Sequence, residues 1–357
     1  MPDTLLPIPT TDHFSVVRLT RAWYVVALSS ELGSKPLGRT LLGVPLVLFR
    51  DSEGQASALL DRCAHRNVPL TEGRVVGDRL ECGYHGWQFD GGGACRKIPG
   101  LCADRSGEQP GQSVPCYATR EQDGLIWVYG EADERPATEP YALPVVGEEG
   151  YTTVRRVVEV EASLHATLEN ALDVPHTAFL HRGLFRGSGV TNTIRAVVTR
   201  TRDSVQAEYL DEPRPTGVAA RLLAPGGGTV THFDRFLMPS IAQVEYRLGH
   251  SSHFLVTSCC TPVHDFRTRI HAVISFKLGL PGWLVRPILT PIAMQIFRQD
   301  ARVLRLQSDA VRRFGGERFS STEIDVLGQQ IWRLLRREEK GHEVQDEDWR
   351  REIVLEV

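Results

Sequence analysis

The chain has 357 residues, 41 Lys and Arg against 44 Asp and Glu for a formal net charge of −3, 41% hydrophobic residues and seven cysteines. A near-neutral balance leaves no electrostatic footprint for nucleic acid or an anionic membrane surface, and the apolar fraction excludes a disordered protein. A chain this long buries a core without covalent help and fits two domains of about 150 residues each, so an odd number of cysteines reads as thiols and candidate ligands rather than as a disulfide framework.

Taken in chain order, the start from Met1 to Pro7 has neither a basic segment nor a long apolar one, so no targeting segment is expected there. The most apolar stretch, Trp283 to Phe297, carries Arg286, Pro287 and Pro291 and is too short to span a bilayer. A cytoplasmic protein that engages neither membrane nor nucleic acid is the expectation. Residues 1–135 form the first expected domain. Leu46–Phe49, a turn at Asp51–Gly54 and Ala56–Leu60 read as a hairpin, and Leu125–Tyr129 as a further strand. No helical period appears between Leu42 and Gly130, so this domain is all-β. Pro136, Pro140, Pro144 and Gly147 mark residues 136–150 as a linker.

Residues 151–340 form the second expected domain. Val154–Val160 reads as a strand and Ser163–Leu172 as a helix capped by Ser163. Alternating segments follow at Ile194–Thr199, Val205–Leu210, Val218–Leu223, Val230–Leu237, Ile241–Leu248, His253–Thr261 and Arg267–Leu278. Separated by turn signals, they predict an antiparallel sheet. A helix is expected over Ile292–Arg313, ended by Gly315 and Gly316. Another is expected over Thr322–Arg337, with Ser320 and Glu323 as a capping box. From Glu338 the chain is charged, and residues 341–357 are expected to fray as a tail.

Two constellations carry chemistry. The first is Cys63-Ala-His65, sixteen residues, then Cys82-Gly-Tyr-His85. Thiolate and imidazole both bind borderline-soft metals. Two loops that each supply one Cys and one His hold a 2Fe–2S cluster in the Rieske manner, thiolates on one iron and imidazoles on the other. Gly83 and Gly86 let the backbone crowd such a cluster and offer N–H groups to its sulfurs. The competing use is structural zinc, which more commonly pairs Cys with Cys and His with His. Cys95, Cys102, Cys116, Cys259 and Cys260 lack comparable spacing and read as small hydrophobes.

The run from Cys63 through Leu70 and Gly73, then Leu80 to Asp90, then Ile98-Pro99-Gly100, resembles the N-terminal domain of the Rieske non-haem iron oxygenases, as does Trp23-Tyr24-Val25-Val26-Ala27. The resemblance implies an α+β chain, a small all-β Rieske domain followed by a catalytic domain with a helix-grip antiparallel sheet.

The second constellation is Glu169-Asn170-Ala-Leu-Asp173-Val-Pro175-His176, followed by His181. Pro175 interrupts the preceding helix, so the two imidazoles sit at a break where they can converge. Asp300 falls on the face of the late helix that carries Ile292, Ile296, Phe297, Val303, Leu304 and Val311. A carboxylate on an apolar face needs a cation or strong donors. Spacing alone leaves metal and a salt bridge, for instance to Arg182, equally open. Asp173 reads either as a helix cap or as an orienter of a neighbouring His. His165 reads as a packed helix residue.

The segment resembles that family's mononuclear iron motif, D-x-x-H-x₄-H, and Gln299-Asp300 its carboxylate. The resemblance implies that His176, His181 and Asp300 bind Fe(II), and that Asn170 lies near the iron. Asp173 would bridge His176 to His85 of the next subunit in a head-to-tail homotrimer. It further implies O2 as cosubstrate and hydroxylation, demethylation or desaturation of a medium-sized organic substrate. The chain departs from the pattern at Leu164-His165-Ala166-Thr167, which lacks the aromatic residue common there. Pro225-Gly226-Gly227-Gly228 is a turn with no helix after it, not a dinucleotide loop. Electrons from NAD(P)H must therefore arrive through a separate reductase or ferredoxin. The alternative is a Rieske electron carrier or ligand-binding protein without oxygenase chemistry.

Overall fold

The computed structural model describes residues 14–101, 111–181, 193–210, 230–249, 252–278, 281–341 and 349–356. The chain divides into two units, one containing residues 20–142 and the other residues 14–19 with 143 onward. The first unit holds ten strands and no α-helix among the described residues. Strands β1 (Trp23–Leu28), β2 (Leu37–Leu41), β3 (Val44–Arg50), β4 (Ala56–Leu60), β9 (Cys116–Gln122) and β10 (Leu125–Ala132) form one sheet in the order β1-β10-β9-β4-β3-β2. Strands β5 (Arg74–Val76), β6 (Arg79–Glu81), β7 (Gln88–Phe89) and β8 (Cys95–Lys97) form a second.

The run Leu46-Val47-Leu48-Phe49 is apolar without alternation because β3 is buried on both faces. Leu46 and Leu48 pack with Tyr24, Val26, Ile126 and Val128. Val47 and Phe49 pack on the other side with Leu59, Leu70, Leu80, Phe89 and the two cysteines of the motif, Cys63 and Cys82. The motif loops are thus anchored to a core rather than hung from a surface.

The second unit is built on one antiparallel sheet. It comprises β11 (Thr152–Val160), β12 (Thr193–Arg200), β13 (Ser204–Leu210), β14 (Val230–Leu237), β15 (Ile241–Leu248), β16 (Ser252–His264), β17 (Arg267–Lys277) and β18 (Trp349–Glu356). Their order is β11-β17-β16-β15-β14-β13-β12-β18. Helices α1 (Leu164–Ala171), α2 (His176–Leu180), α3 (Gly282–Arg313) and α4 (Gly328–Glu339) complete the described elements. Ser163 caps α1, accepting from Ala166 N–H at 3.2 Å. Val218–Leu223, expected as a strand, lies outside the described residues.

Four expectations are corrected. The late helix begins at Gly282 rather than Ile292 and carries Pro287 and Pro291 in its interior. Both prolines are exposed while Val285 and Leu289 are buried, so the carbonyls they leave unpaired face solvent. The last helix begins at Gly328 rather than Thr322, capped by Leu327 without a side-chain bond. Thr322 instead pairs its N–H with Asp325, which ties residues 322–325 into a turn. The charged tail does not fray throughout: β18 pairs with β12 along its full length, and Ile353 and Leu355 are buried by alternation while Val354 points out. Residues 14–19, expected with the first domain, belong to the second unit. Val17 and Leu19 enter its core and Arg18 makes a bidentate contact with Asp265 at 2.7 and 2.8 Å.

A polar network centred on the buried Glu245 lies on one face of the large sheet. Glu245 accepts from Arg247 Nε at 2.6 Å, from His253 Nε2 at 3.0 Å and from Arg235. The Tyr151 hydroxyl donates to His253 Nδ1 at 2.6 Å. Burial pushes the Glu245 carboxyl up, but His253, Arg235 and Arg247 outweigh it and hold it far below its ordinary 4.5. A group depressed in the folded state contributes stability above its unfolded value and loses that contribution as pH falls through its folded value. Glu245→Gln is expected to lower stability at neutral pH by on the order of 1–3 kcal/mol and to weaken the acid limb below pH 4.5. Thermal melts across pH measure both, and an acid limb parallel to that of the wild type would contradict the assignment.

Candidate metal centres

In the first unit the chain leaves β4 and turns at Cys63, whose N–H donates to Val68 O at 2.9 Å while Asn67 N–H returns to Cys63 O at 3.0 Å. The second loop joins β6 to β7. Cys82 N–H donates to Trp87 O at 2.8 Å, and Gly86, at φ 70°, returns its N–H to Cys82 O at 3.1 Å. The loops approach so closely that a Cβ on Gly73 would lie 2.1 Å from Glu81 O. Cys63 and Cys82 are both buried. The rings of His65 and His85 lie 4.5 Å apart. Trp87 stacks flat on His65 at 4.8 Å, and Tyr84 covers His85 at 3.8 Å.

The donor set fits a 2Fe–2S cluster. Burial pushes the Cys63 thiol up to about 11, and the adjacent Cys82 adds to it, so the Cys63 sulfur needs a strong cationic partner to ionise. His65 Nδ1 is buried with no hydrogen-bond partner, as a nitrogen reserved for a metal would be. Among the cysteines expected as bystanders, Cys95 and Cys116 are partly buried and Cys259 and Cys260 fully so; burial raises the Cys260 thiol to about 12. Cys102 lies outside the described residues.

In the second unit Pro175 ends the turn after α1 and starts α2, which places His176 and His181 at opposite ends of one short helix. Helix α3 supplies Asp300. His176 Nε2 and His181 Nε2 are 3.2 Å apart. Asp300 Oδ1 lies 3.1 Å from His181 Nε2 and 3.6 Å from His176 Nε2. Among the described residues this is the only group of three or more His, Cys, Asp and Glu with donor atoms so close. The edges compare with about 3 Å between adjacent ligands on an octahedron with bonds of about 2.1 Å.

The outer ring nitrogens settle what faces inward. His176 Nδ1 donates to the backbone O of Asp173, whose carboxylate is also 3.4 Å away. His181 Nδ1 donates to Gln299 Oε1 at 2.8 Å. With both rings neutral, each Nε2 then presents a lone pair toward the carboxylate, so the group calls for a proton or a metal ion to supply positive charge. Asp300 Oδ1 is buried and accepts no well-directed hydrogen bond, although His181 is in contact. Three converging acceptors favour a cation between them. Burial pushes His176 down, yet Asp173 and Asp300 reverse this and raise it to about 9. Burial pushes Asp300 up, yet His176 and His181 hold it below the ordinary carboxylate value.

Asn170 and Asp173 line one cavity of about 860 Å³ together with His176, Glu169, Asp325 and Tyr209. Arg182, the salt-bridge alternative for Asp300, lies outside the described residues. On α3 the expected apolar face is only partly apolar in its setting. Leu304 and Val311 are buried, but Val303 is 40% exposed, at the cavity rim. His165 is a packed residue, its Nε2 3.0 Å from Gly328 O and its ring against Trp332. Sequence reasoning missed Gln299 as the outer partner of His181 and Trp87 as the platform under His65. Adjacency to Asp300 and to His85 was the only signal for either.

Residues 22–118 match the Rieske [2Fe-2S] domain family, and residues 160–340 match the family described as the vanillate O-demethylase oxygenase C-terminal domain. The oxygenase component of dicamba O-demethylase from Stenotrophomonas maltophilia is 39% identical over 165 residues, which cover 45% of this chain and 47% of that protein. The oxygenase component of chloroacetanilide N-alkylformylase from Rhizorhabdus wittichii is 32% identical over 225 residues, covering 60% and 62%. The alignments thus span about half the length of the curated relatives. The crystal structure of dicamba monooxygenase bound to 3,6 dichlorosalicylic acid superimposes with a TM-score of 0.78 at 27% identity, over 91% of this chain and 98% of that one. A Rieske domain followed by this C-terminal domain defines an oxygenase component. The chain belongs to the Rieske non-haem iron oxygenases, in the group typified by vanillate O-demethylase. No helix among its described residues is long and apolar enough to cross a membrane.

Removing the outer acceptor of His181 tests the second centre. Gln299→Leu is expected to weaken iron retention by about tenfold to a hundredfold. Iron content after graded chelation measures this, and retention equal to the wild type would remove Gln299 from the centre.

Proposed function

We propose that this chain is the oxygenase component of a multi-protein system that hydroxylates, demethylates or desaturates an organic substrate with O2. The observation that carries the reading is the convergence of His176 Nε2, His181 Nε2 and Asp300 Oδ1 within 3.1–3.6 Å. Cys63, His65, Cys82 and His85 hold the 2Fe–2S cluster. His176, His181 and Asp300 would hold one Fe(II), a two-His-one-carboxylate donor set suited to that ion. The bound iron centres supply stored electrons and O2 binding beside the substrate.

The protein's own groups then have defined work. Asp173 and Gln299 take the outer N–H groups of His176 and His181, which fixes each tautomer and aims each lone pair inward. Asp173 is a third exposed, so its carboxylate is accessible from outside the fold. We assign it the bridge to His85 of the partner subunit in a head-to-tail homotrimer, since His85 and its neighbour Tyr84 are exposed as well. Asn170, on the same cavity wall, lies beside the centre. Electrons enter from a separate reductase or ferredoxin that draws on NAD(P)H, and the protein works in the cytoplasm.

His176→Ala is expected to remove the mononuclear iron while sparing the cluster, so iron falls from about three to about two per chain and O2-dependent turnover is lost. Full activity in that variant would refute the reading, and two irons per chain in the wild type would select the electron carrier instead. Asp173→Asn is expected to keep all the iron and the reduced-cluster EPR signal but to slow turnover by about tenfold to a hundredfold. Single-turnover kinetics with pre-reduced protein measure that step; an unchanged rate would take the bridge away from Asp173.

A further inference from the structure

Helix α4 is tied to one end of β12 by side-chain contacts. Arg200, the last residue of β12, continues the buried row Ile194, Ala196 and Val198. Its Nη1 donates to Gln330 Oε1 on α4 at 2.6 Å, and Gln330 is buried. Its guanidinium lies over the ring of Trp349, its pairing partner on β18, at 5.6 Å. Further along α4, Arg337 donates to the backbone O of Arg202, in the turn that follows Arg200. Positions 330, 333 and 337 share one face of the helix. Arg333 therefore falls between the two contacts, and it is exposed. Arg200, Arg333 and Arg337 thus gather their guanidinium groups at one spot.

Their neighbours on the same elements have acidic partners. Arg195 of β12 pairs with Glu352 at 3.3 Å, Arg336 of α4 with Glu339 at 2.6 Å, and Arg351 of β18 with Glu323 at 3.5 Å. Among the described residues no carboxylate pairs with Arg200, Arg333 or Arg337. What Arg200 and Arg337 touch is neutral: an amide oxygen, an indole face and a backbone carbonyl. Asp203, in the same turn, already accepts from Thr201 Oγ1 at 3.2 Å. Burial, then Arg333 and then Arg337, push the Arg200 guanidinium below its ordinary value, which reports the crowding of positive charge. The C-terminal end of a helix favours cations. That accounts for Arg337, in the last turn of α4, but not for Arg333 or for Arg200 on a strand. Like charges gathered without a counter-ion oppose folding. Several guanidinium forks together match the oxygens of a phosphate.

We propose that Arg200, Arg333 and Arg337 form a binding site for the phosphate group of a soluble anion. Gln330 and Trp349 hold the Arg200 fork in place, and Arg333 and Arg337 supply two further forks from the helix. The site contains none of the metal-centre residues and none that line the cavity of Asn170 and Asp173, so it stands independently of the oxygenase reading.

The test is calorimetric titration of the metal-loaded, full-length protein with inorganic phosphate and with phenyl phosphate, at an ionic strength held constant with chloride. Wild type is expected to bind at least one of them, and the tighter of the two tells free phosphate from a phosphate ester. Arg333→Gln is expected to weaken that binding by about tenfold or more, while Arg120→Gln, in the first unit, leaves it unchanged. Thermal melts separate a ligand site from a structural role. In chloride alone Arg333→Gln is expected to melt at or above the wild-type temperature, because it removes a repulsion. Phosphate is expected to raise the melting temperature of the wild type and not that of the variant. Binding of neither probe overturns the proposal, as does binding that survives Arg333→Gln, the result that uptake by the metal centres would give. A loss shared by Arg120→Gln, or a variant destabilised in chloride alone, overturns it too.

Discussion

Three acceptor atoms that face each other make the rest of the second unit intelligible. His176 Nε2, His181 Nε2 and Asp300 Oδ1 meet within 3.1–3.6 Å with their outer hydrogen bonds already made. In a partly buried site such a cluster, with its rings neutral, repels itself unless a proton or a cation lies between its members. The surrounding fold works to maintain it. Pro175 breaks the helix so that the two imidazoles share one short turn, and the core residues Phe297, Ala301 and Leu304 clamp α3 at the level of Asp300. The raised His176 and lowered Asp300 ionisations report the same demand for positive charge.

The first unit solves a related problem with sulfur. Its two loops are pinned at Cys63 and Cys82 to the apolar face of β3, and Gly73 lets the segments before and after them cross at backbone contact. Placing Cys63 in a core raises its thiol's cost of ionisation, which a bound cluster would offset and water does not. The imidazoles go the other way, toward the surface, with His85 under the exposed Tyr84. Buried sulfurs and an exposed imidazole edge make a store of charge with an exit, the arrangement an electron-transfer unit requires.

Most strands were legible because alternation is a local signal. Val230–Leu237 and Ile241–Leu248 coincide with β14 and β15. The misplaced boundaries have tertiary causes. The prolines of α3 argue against a helix until one sees that their face is exposed and the opposite face, Val285 and Leu289, is buried. The tail reads as solvated because Arg350, Arg351 and Glu352 dominate it, yet pairing with β12 buries Ile353 and Leu355. The Ser320–Glu323 pattern fits a cap in isolation, but the Thr322–Asp325 turn postpones the helix to Gly328.

The sequence by itself determined the donors: which Cys, His and Asp could serve, at what spacing, and in which of two domains. Those are properties of residue type and short separation. Only the tertiary structure decided that they converge. Asp300 is 119 positions from His181, and no periodicity says which distant helix face will meet which loop. It also decided which ring nitrogen of each histidine faces inward, through Asp173 and Gln299. The reason is physical. A ligand's identity is written in its side chain, but its lone pair is aimed by partners that the fold brings from far along the chain.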